Sequence, residues 1–170
     1  MLPKDFCESI FCIDLGRLAS SGIKGLVIDL DNTLVAWSKR KPDPFLIDWF
    51  KKLRSKGFKC CIVSNNLSNR ETEQFAIQLG ASLVTSARKP FPRGFVQAMK
   101  AMGTGPSETA VIGDQLFTDV LGGNLAGTYT ILVRPLGSRE FPTTRLARLL
   151  EKLACRLFPK LRALTSQCDK

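Results

Sequence analysis

Apolar runs alternate with amphipathic stretches along this chain, and the alternation predicts strands separated by helices. Short apolar, β-prone runs predict five strands, at 24–30, 58–63, 81–84, 109–112 and 129–133. Apolar residues at helical spacing between them predict helices at 44–56, 68–79, 92–102 and 119–125. Strands joined through helices form parallel sheets with right-handed crossovers. We therefore predict a Rossmann-like three-layer α/β sandwich around a parallel five-stranded sheet.

The two ends of the chain add helical patterns to this core. Apolar positions at 5–18 predict a short N-terminal helix, and a helix at 143–157 places leucines beside a basic face. A chain of 170 residues supports one domain with a full core. We predict a single domain over 1–170, with its core at about 22–135 and a basic helical segment at 143–170.

The composition is that of an ordinary globular protein. Apolar residues make up 44% of the chain, and no charge-free apolar run approaches the ~20 residues of a membrane helix. Asp5, Glu8 and Asp14 interrupt the N-terminal apolar pieces, so a secretory signal is not expected. The six cysteines include no C-x-x-C pair, which argues against zinc. We expect a cytoplasmic or organelle-interior location, with peripheral membrane attachment left open.

The net charge of +10 is concentrated near the C-terminus. Residues 134–170 hold nine Lys or Arg against three acids. A loop after the first strand reads Val35-Ala36-Trp37-Ser38-Lys39-Arg40-Lys41, with a tryptophan beside three cations. These blocks indicate either an anionic partner, such as a membrane surface or nucleic acid, or a solvated face that promotes solubility.

Candidate catalytic groups follow the predicted strands. The chain has no histidine, which excludes Ser-His-Asp and Cys-His catalysis. Carboxylates, a lysine and small polar side chains stand at four strand ends: Asp29, Asp31, Thr33, Ser64, Asn65, Lys89, Asp114 and Asp119. Parallel strands bring such ends to one edge of the sheet. An all-oxygen set favours a hard cation such as Mg²⁺, and the whole inventory suits phosphoryl transfer.

The order of these motifs resembles that of the haloacid dehalogenase (HAD) superfamily of aspartyl-phosphate phosphatases. The shared features are D-x-D-x-T, a strand ending in Ser, Lys-Pro and G-D-x-x-x-x-D, and they span residues 24 to about 133. The segments Gly22–Leu34, Val63–Asn66, Ala87–Pro90 and Gly113–Asp119 are similar to the capless YqeG-type branch. That branch is similar in turn to the mitochondrial phosphatidylglycerophosphate phosphatases.

The resemblance implies a role for each motif residue. Asp29 would be the nucleophile and a magnesium ligand, and Asp31 the general acid–base, with its carbonyl on the metal. Lys89 would neutralise the nucleophile and the phosphate, and Asp114 would complete the metal set of Asp29, Asp31 and Asp114. Three further residues, Thr33, Ser64 and Asn65, would hold the loop and the phosphoryl group. Asp119 would orient the site.

The two positions where this superfamily inserts a cap domain hold only short connections here, at 33–44 and 84–89. The expected open site suits a substrate too large to enclose. The resemblance implies Mg²⁺-dependent removal of phosphate from phosphatidylglycerophosphate, an anionic phospholipid, at a membrane surface. Two alternatives stay open: the same chemistry on a nucleic-acid end or phosphoprotein, and a non-catalytic binder of anionic partners. A dedicated nucleic-acid partner is not expected, and the oligomeric state does not follow from the sequence.

Overall fold

A six-stranded parallel sheet with helices on both faces forms the centre of the molecule. This computed structural model describes residues 2–36 and 41–137. The strands are β1 (Asp5–Cys7), β2 (Gly25–Asp29), β3 (Lys59–Val63), β4 (Ser82–Val84), β5 (Thr109–Gly113) and β6 (Tyr129–Val133). The α-helices are α1 (Leu15–Ser20), α2 (Pro44–Ser55), α3 (Arg70–Leu79), α4 (Arg93–Met102) and α5 (Leu121–Leu125). Short 3₁₀ helices occupy Ile10–Cys12 and Pro106–Glu108, and a π-helix occupies Leu116–Val120.

The strand order is β1-β6-β5-β2-β3-β4, and every pairing is parallel. The predicted three-layer parallel fold is therefore confirmed. Strand β2 lies at the centre, with Ile28 opposite Ile62 of β3 and Ile112 of β5. The chain continues from β2 to one side through β3 and returns on the other side through β5. Open α/β sheets bind ligands at such a switch point, beyond the carboxyl ends of the strands.

Two expectations about the N-terminus were wrong. The predicted helix at 5–18 is replaced by strand β1, a 3₁₀ turn at Ile10–Cys12 and the short helix α1. The predicted five strands become six because β1 pairs with β6, and the Lys4 N–H also donates to the Thr130 carbonyl. An exposed sheet edge offers main-chain partners that an isolated segment lacks. The apolar side chains of the segment are still buried, among them Ile10, Ile13 and Leu18.

Alternate side chains of the central strands fill two core layers. Leu26 and Ile28 pack with the α2 residues Phe50 and Leu53 on one face. On the other face, Val27 packs with Phe95 of α4. This pattern of apolar side chains on both faces is what a buried parallel strand requires. Burial of both faces holds β2 in the middle of the sheet, and this placement fixes the position of Asp29 at its end.

The connections at the carboxyl edge are short. The chain passes from β2 to α2 between Leu30 and Asp43, and from β4 to α4 between Thr85 and Pro92. The absence of a cap domain, expected from the sequence, is confirmed for the described residues. The predicted helix at 143–157, the basic segment 143–170 and the loop residues 37–40 lie outside the described residues. The assignment of the whole chain to one domain stays a prediction.

Candidate active site

A tight turn after β2 places two acids and a threonine at the centre of the carboxyl edge. Asp29 ends β2 and is buried. Asn32 follows in the left-handed region, with φ of 62°, and its N–H donates to the Val35 carbonyl at 2.8 Å. Asparagine adopts this conformation more readily than most residues. The turn directs Thr33 toward β5, where its hydroxyl donates to Asp114 Oδ1 at 3.2 Å.

Lys89 joins three elements through its ammonium group. Nζ donates to Asp29 Oδ1 and, at 2.6 Å, to Asp119 Oδ1. The Val63 carbonyl at the end of β3 lies 3.4 Å from the same nitrogen. All three charged side chains are buried. Burial of an ammonium group with two carboxylates is favourable only when geometry and charge match this closely.

The main chain of Lys89 is held by Asn65. The Lys89 N–H donates to Asn65 Oδ1 at 2.7 Å, and Asn65 Nδ2 donates to the Lys89 carbonyl at 3.3 Å. Neighbouring Ser64 is buried, and its Oγ accepts from the Asn66 N–H at 3.1 Å. The Ser64 carbonyl accepts from the Ala87 N–H at 3.1 Å. The loops after β3 and β4 are thereby fastened to each other, which fixes the position of the lysine.

Asp119 is fixed by contacts on both of its carboxylate oxygens. Oδ1 accepts from Lys89, and Oδ2 accepts from the Gln115 N–H at 3.1 Å. Its side chain lies directly over Gly113, where a Cβ atom would stand only 2.3 Å from Asp119 Cγ. A glycine at the end of β5 is therefore required for this placement. The π-helix Leu116–Val120 brings Asp119 back over the strand end.

Three carboxylates could hold a cation at this edge. Oxygens of Asp29, Asp114 and Asp119 lie within 4.8 Å of one another. Asp29 Oδ2 is buried and accepts no hydrogen bond from the described part of the chain. Both Asp119 oxygens accept hydrogen bonds from the protein, so Asp29 is a better ligand than Asp119. An oxygen-only donor set matches Mg²⁺.

Burial and the Lys89 ion pairs act in opposite directions on the charges of the site. Burial raises the pKa of Asp29 to about 7, against the lowering influence of Lys89. Burial also acts to lower the pKa of Lys89, but the carboxylates of Asp119 and Asp29 outweigh it and raise that pKa. Lys89 is thus a cation throughout the physiological range. The raised pKa of Asp29 means that its carboxylate is poorly stabilised in the metal-free site, which is a physical reason for a bound cation.

All eight predicted site residues lie at the carboxyl edge, and the structure divides them into connected groups. Asp29, Lys89 and Asp119 form one group, and Thr33 and Asp114 form a second. Ser64 and Asn65 support the lysine loop. Asp31 is half-buried, and its Oδ2 accepts from Asn66 Nδ2 at 2.6 Å. The metal set of Asp29, Asp31 and Asp114 stays a prediction, since the three clustered carboxylates are those of Asp29, Asp114 and Asp119.

Two residues of the site received no role from the sequence. Asn66 orients the Asp31 carboxylate, and Gly113 leaves room for Asp119. Asn66 could have been found from its place in the polar run Ser64-Asn65-Asn66 after a strand. Gly113 carries a weaker signal, because a glycine before an acid is common and the clash with Asp119 appears only in three dimensions.

Comparison with known proteins gives a family and several relatives. Residues 35–127 match the family model described as haloacid dehalogenase-like hydrolase. The chain is 42% identical to the probable phosphatase YqeG of Bacillus subtilis over 151 residues, which cover 89% of this chain and 87% of that protein.

Two further relatives are longer proteins, and this chain spans less than half of each. It is 33% identical to a glyceraldehyde 3-phosphate phosphatase of Methanopyrus kandleri, over 55% of this chain and 44% of that protein. It is 30% identical to phosphatidylglycerophosphate phosphatase 1 of Arabidopsis thaliana, over 89% of this chain and 46% of that protein. No helix among the described residues has both the length and the apolar character needed to cross a bilayer.

Proposed function

Because the chain belongs to the haloacid dehalogenase-like hydrolase family, we propose that it is a Mg²⁺-dependent phosphatase that works through an aspartyl-phosphate at Asp29. One observation supports this most directly. Lys89 holds Asp29 Oδ1, while the buried Oδ2 receives no hydrogen bond from the described residues. A carboxylate that is oriented through one oxygen, while its other oxygen is not engaged by the described residues, is suited to attack phosphorus.

The first step transfers the phosphoryl group to the protein. An Asp29 carboxylate oxygen forms a bond to phosphorus, and the bond from phosphorus to the ester oxygen breaks. Asp31 donates its proton to the leaving oxygen, so that an alcohol departs. Asp31 is suited to this task because it lies two residues from Asp29 and is half-buried, and Asn66 fixes its orientation.

The second step releases the phosphate. A water molecule attacks the phosphorus of the aspartyl-phosphate, and Asp31 accepts a proton from that water. The bond between phosphorus and the Asp29 oxygen breaks, which yields inorganic phosphate and restores both carboxyl groups to their starting states. The open edge gives water access to the intermediate, because no cap domain covers it in the described residues.

The remaining residues hold the phosphoryl group and its charge. Lys89 places a fixed cation beside Asp29, and Asp119 keeps the ammonium group in position. Ser64 offers a hydroxyl, and we assign Asn65 and Thr33 to loop support, since they bond to Lys89 and Asp114. Mg²⁺, when held by Asp29, Asp114 and the Asp31 carbonyl, would neutralise phosphate oxygens.

The substrate that we propose is phosphatidylglycerophosphate, with phosphatidylglycerol as the product. The Arabidopsis relative bears that activity in its name, and the likeness covers 89% of this chain. The open edge can receive a head group that remains in a bilayer, and a net charge of +10 favours an anionic surface. We accordingly place the enzyme in the cytoplasm or an organelle interior, peripherally on the membrane. A small phosphate ester is the second candidate, on the likeness to the glyceraldehyde 3-phosphate phosphatase.

The test is phosphate release from a panel of substrates with wild type and Asp29→Asn. The panel holds phosphatidylglycerophosphate, glyceraldehyde 3-phosphate, a 5′-phosphorylated oligonucleotide and a phosphopeptide. We expect the lipid to give the highest kcat/KM, and the variant to lose about 10⁴-fold or more in kcat. Asp48→Asn, which changes an exposed acid on α2, is the matched control.

Removal of the metal completes this test. Activity should vanish in chelator and return with excess Mg²⁺, because the chain has no imidazole and the described residues form no thiol cluster for another ion. Near-normal turnover by Asp29→Asn would remove the nucleophile assignment. A preference for the oligonucleotide or the phosphopeptide would replace the lipid as substrate while leaving the chemistry intact.

A further inference from the structure

Four large apolar side chains stand exposed around the catalytic edge. Phe45 and Leu67 are each 80% exposed, Phe91 is 67% exposed and Leu136 is 49% exposed. We call these four residues the apolar rim. A single exposed apolar side chain is common on a protein surface, but these four all surround the catalytic edge.

Each rim residue is placed at this edge by the element to which it belongs. Leu67 lies between β3 and α3, and Phe91 lies between β4 and α4, two residues after Lys89. Phe45 is in the first turn of α2, which begins at the carboxyl edge. Leu136 follows β6, and its N–H donates to the Asn32 carbonyl at 2.8 Å. The rim therefore extends from β6 to β4, roughly 19 Å at about 4.8 Å per strand.

Polar and basic groups separate the rim side chains. Lys41, Arg70, Arg88 and Arg93 are exposed at this edge, and the described residues place no carboxylate in ion-pair contact with them. The other acids of the same edge among the described residues are Asp43, Glu71, Glu73 and Glu8, and Glu8 pairs with Arg134, which follows β6. The edge thus has more cations than anions outside the catalytic cluster.

We propose that the apolar rim inserts into the interfacial layer of an anionic phospholipid bilayer, so that the catalytic edge faces the membrane. The rim residues come from three separate loops and the first turn of α2, and exposed cations lie at the same edge. Isolated apolar side chains can enter a lipid interface one by one, while the cations contact anionic head groups. A protein partner would instead require a contiguous complementary patch.

This inference rests on the proposed function and deepens it, because the rim would bring the site to its substrate. A phosphate on a lipid head group would reach Asp29 while its acyl chains remain in the bilayer. No extraction of the lipid would then be needed. The rim does not take part in the chemistry, so a small water-soluble ester should react without it.

The experiment measures binding to vesicles of phosphatidylcholine and phosphatidylglycerol in equal parts, by co-sedimentation. The rim variant is Phe45→Gln with Leu67→Gln. Its matched control is Ile77→Gln with Leu125→Gln, which changes side chains that are 75% and 60% exposed near the opposite edge of the sheet. All proteins are also assayed with p-nitrophenyl phosphate.

We expect the rim variant to bind vesicles about 100-fold more weakly, at about tenfold for each side chain withdrawn from the interface. The control should bind like wild type, and all three should hydrolyse the soluble ester equally. Equal vesicle binding by rim and control variants would overturn the inference, with the phosphatase proposal unaffected. Absence of vesicle binding by wild type, or a fall in oligomeric mass only in the rim variant, would overturn it in favour of a protein contact.

The two proposals fail separately. If wild type binds vesicles through the rim but hydrolyses neither the ester nor any substrate of the panel, the rim inference stands and the phosphatase proposal falls. If the soluble ester is hydrolysed and the rim variant loses this activity as well, the rim belongs to the catalytic site and the membrane inference falls.

Discussion

Replacing Asp29 with asparagine should stabilise the metal-free protein, and the gain should increase with pH. Burial at the end of β2 raises the pKa of Asp29 from 3.8 to about 7. The folded protein therefore binds this proton more tightly than the unfolded chain does. The resulting stability is complete below the unfolded pKa and is lost as the pH rises from 3.8 through about 7.

The size of the effect follows from the interval between the two pKa values. Each unit corresponds to about 1.4 kcal/mol, so the metal-free wild type should lose up to about 4 kcal/mol across this pH range. Asparagine has nearly the same shape and retains an oxygen that can accept from Lys89. Any difference in packing is independent of pH, so it shifts the whole stability curve and leaves the slope unaffected.

The assay is urea unfolding in chelator at a series of pH values from about 5 to about 8, where most of the loss should occur. The difference in free energy of unfolding between Asp29→Asn and wild type should rise from pH 5 to about 7 and level off above it. Asp48→Asn serves as control, because that acid is exposed. Saturating Mg²⁺ should stabilise wild type more than the variant at the upper end of the range.

A difference that stays constant with pH would refute the argument that burial, rather than Lys89, dominates the ionisation of Asp29. The opposite balance, with the ion pair to Lys89 stabilising the carboxylate, would move the pH dependence below 3.8 and leave a constant difference over this range, with the variant the less stable protein. If Mg²⁺ stabilised the variant as strongly as wild type, Asp29 would not be a ligand of the metal.

Two further predictions concern residues that position the site. Gly113→Ala should lower kcat by about tenfold or more, because the added Cβ would displace Asp119 from Lys89. The control in the same steady-state assay is Gly105→Ala, whose Cβ would meet only Glu108 Oε2 at 3.8 Å. An unchanged kcat in both variants would contradict the predicted clash. Asn66→Ala should lower kcat by about tenfold with little change in KM, since it removes a hydrogen bond to the carboxylate of Asp31; an effect on KM alone would assign Asn66 to substrate binding.

The sheet and its edge could be predicted because their signals are local. The run Leu26–Ile28 is apolar on both faces, which only a central parallel strand requires, and glycines such as Gly57 and Gly80 end the helices in left-handed geometry. Parallel pairing then brings every strand end to one edge. The positions of Asp29, Lys89 and Asp114 therefore followed from topology, before any side-chain contact was known.

The features that escaped prediction depend on contacts between distant parts of the chain. Nothing in Asp5–Cys7 favours a strand until the edge of β6 is available as a partner. The role of Gly113 depends on the return of Asp119 through a π-helix, for which the sequence gives no periodic signal. The sequence shows that Asn66 is polar, but only the loop geometry makes its side chain donate to Asp31 instead of to water.

The pairing of β1 with β6 has a consequence for how the chain is assembled. The register joins Asp5 to Ile131, so β1 finds its partner β6 only after 126 further positions have been synthesised. At ribosomal rates of about 5–20 residues per second, that interval lasts roughly 6–25 s. Strand β1 must stay unpaired for this time, whereas β2 and β3 can meet early. We expect this closing contact to form late in folding, so that weakening it would mainly accelerate unfolding and leave the folding rate almost unchanged.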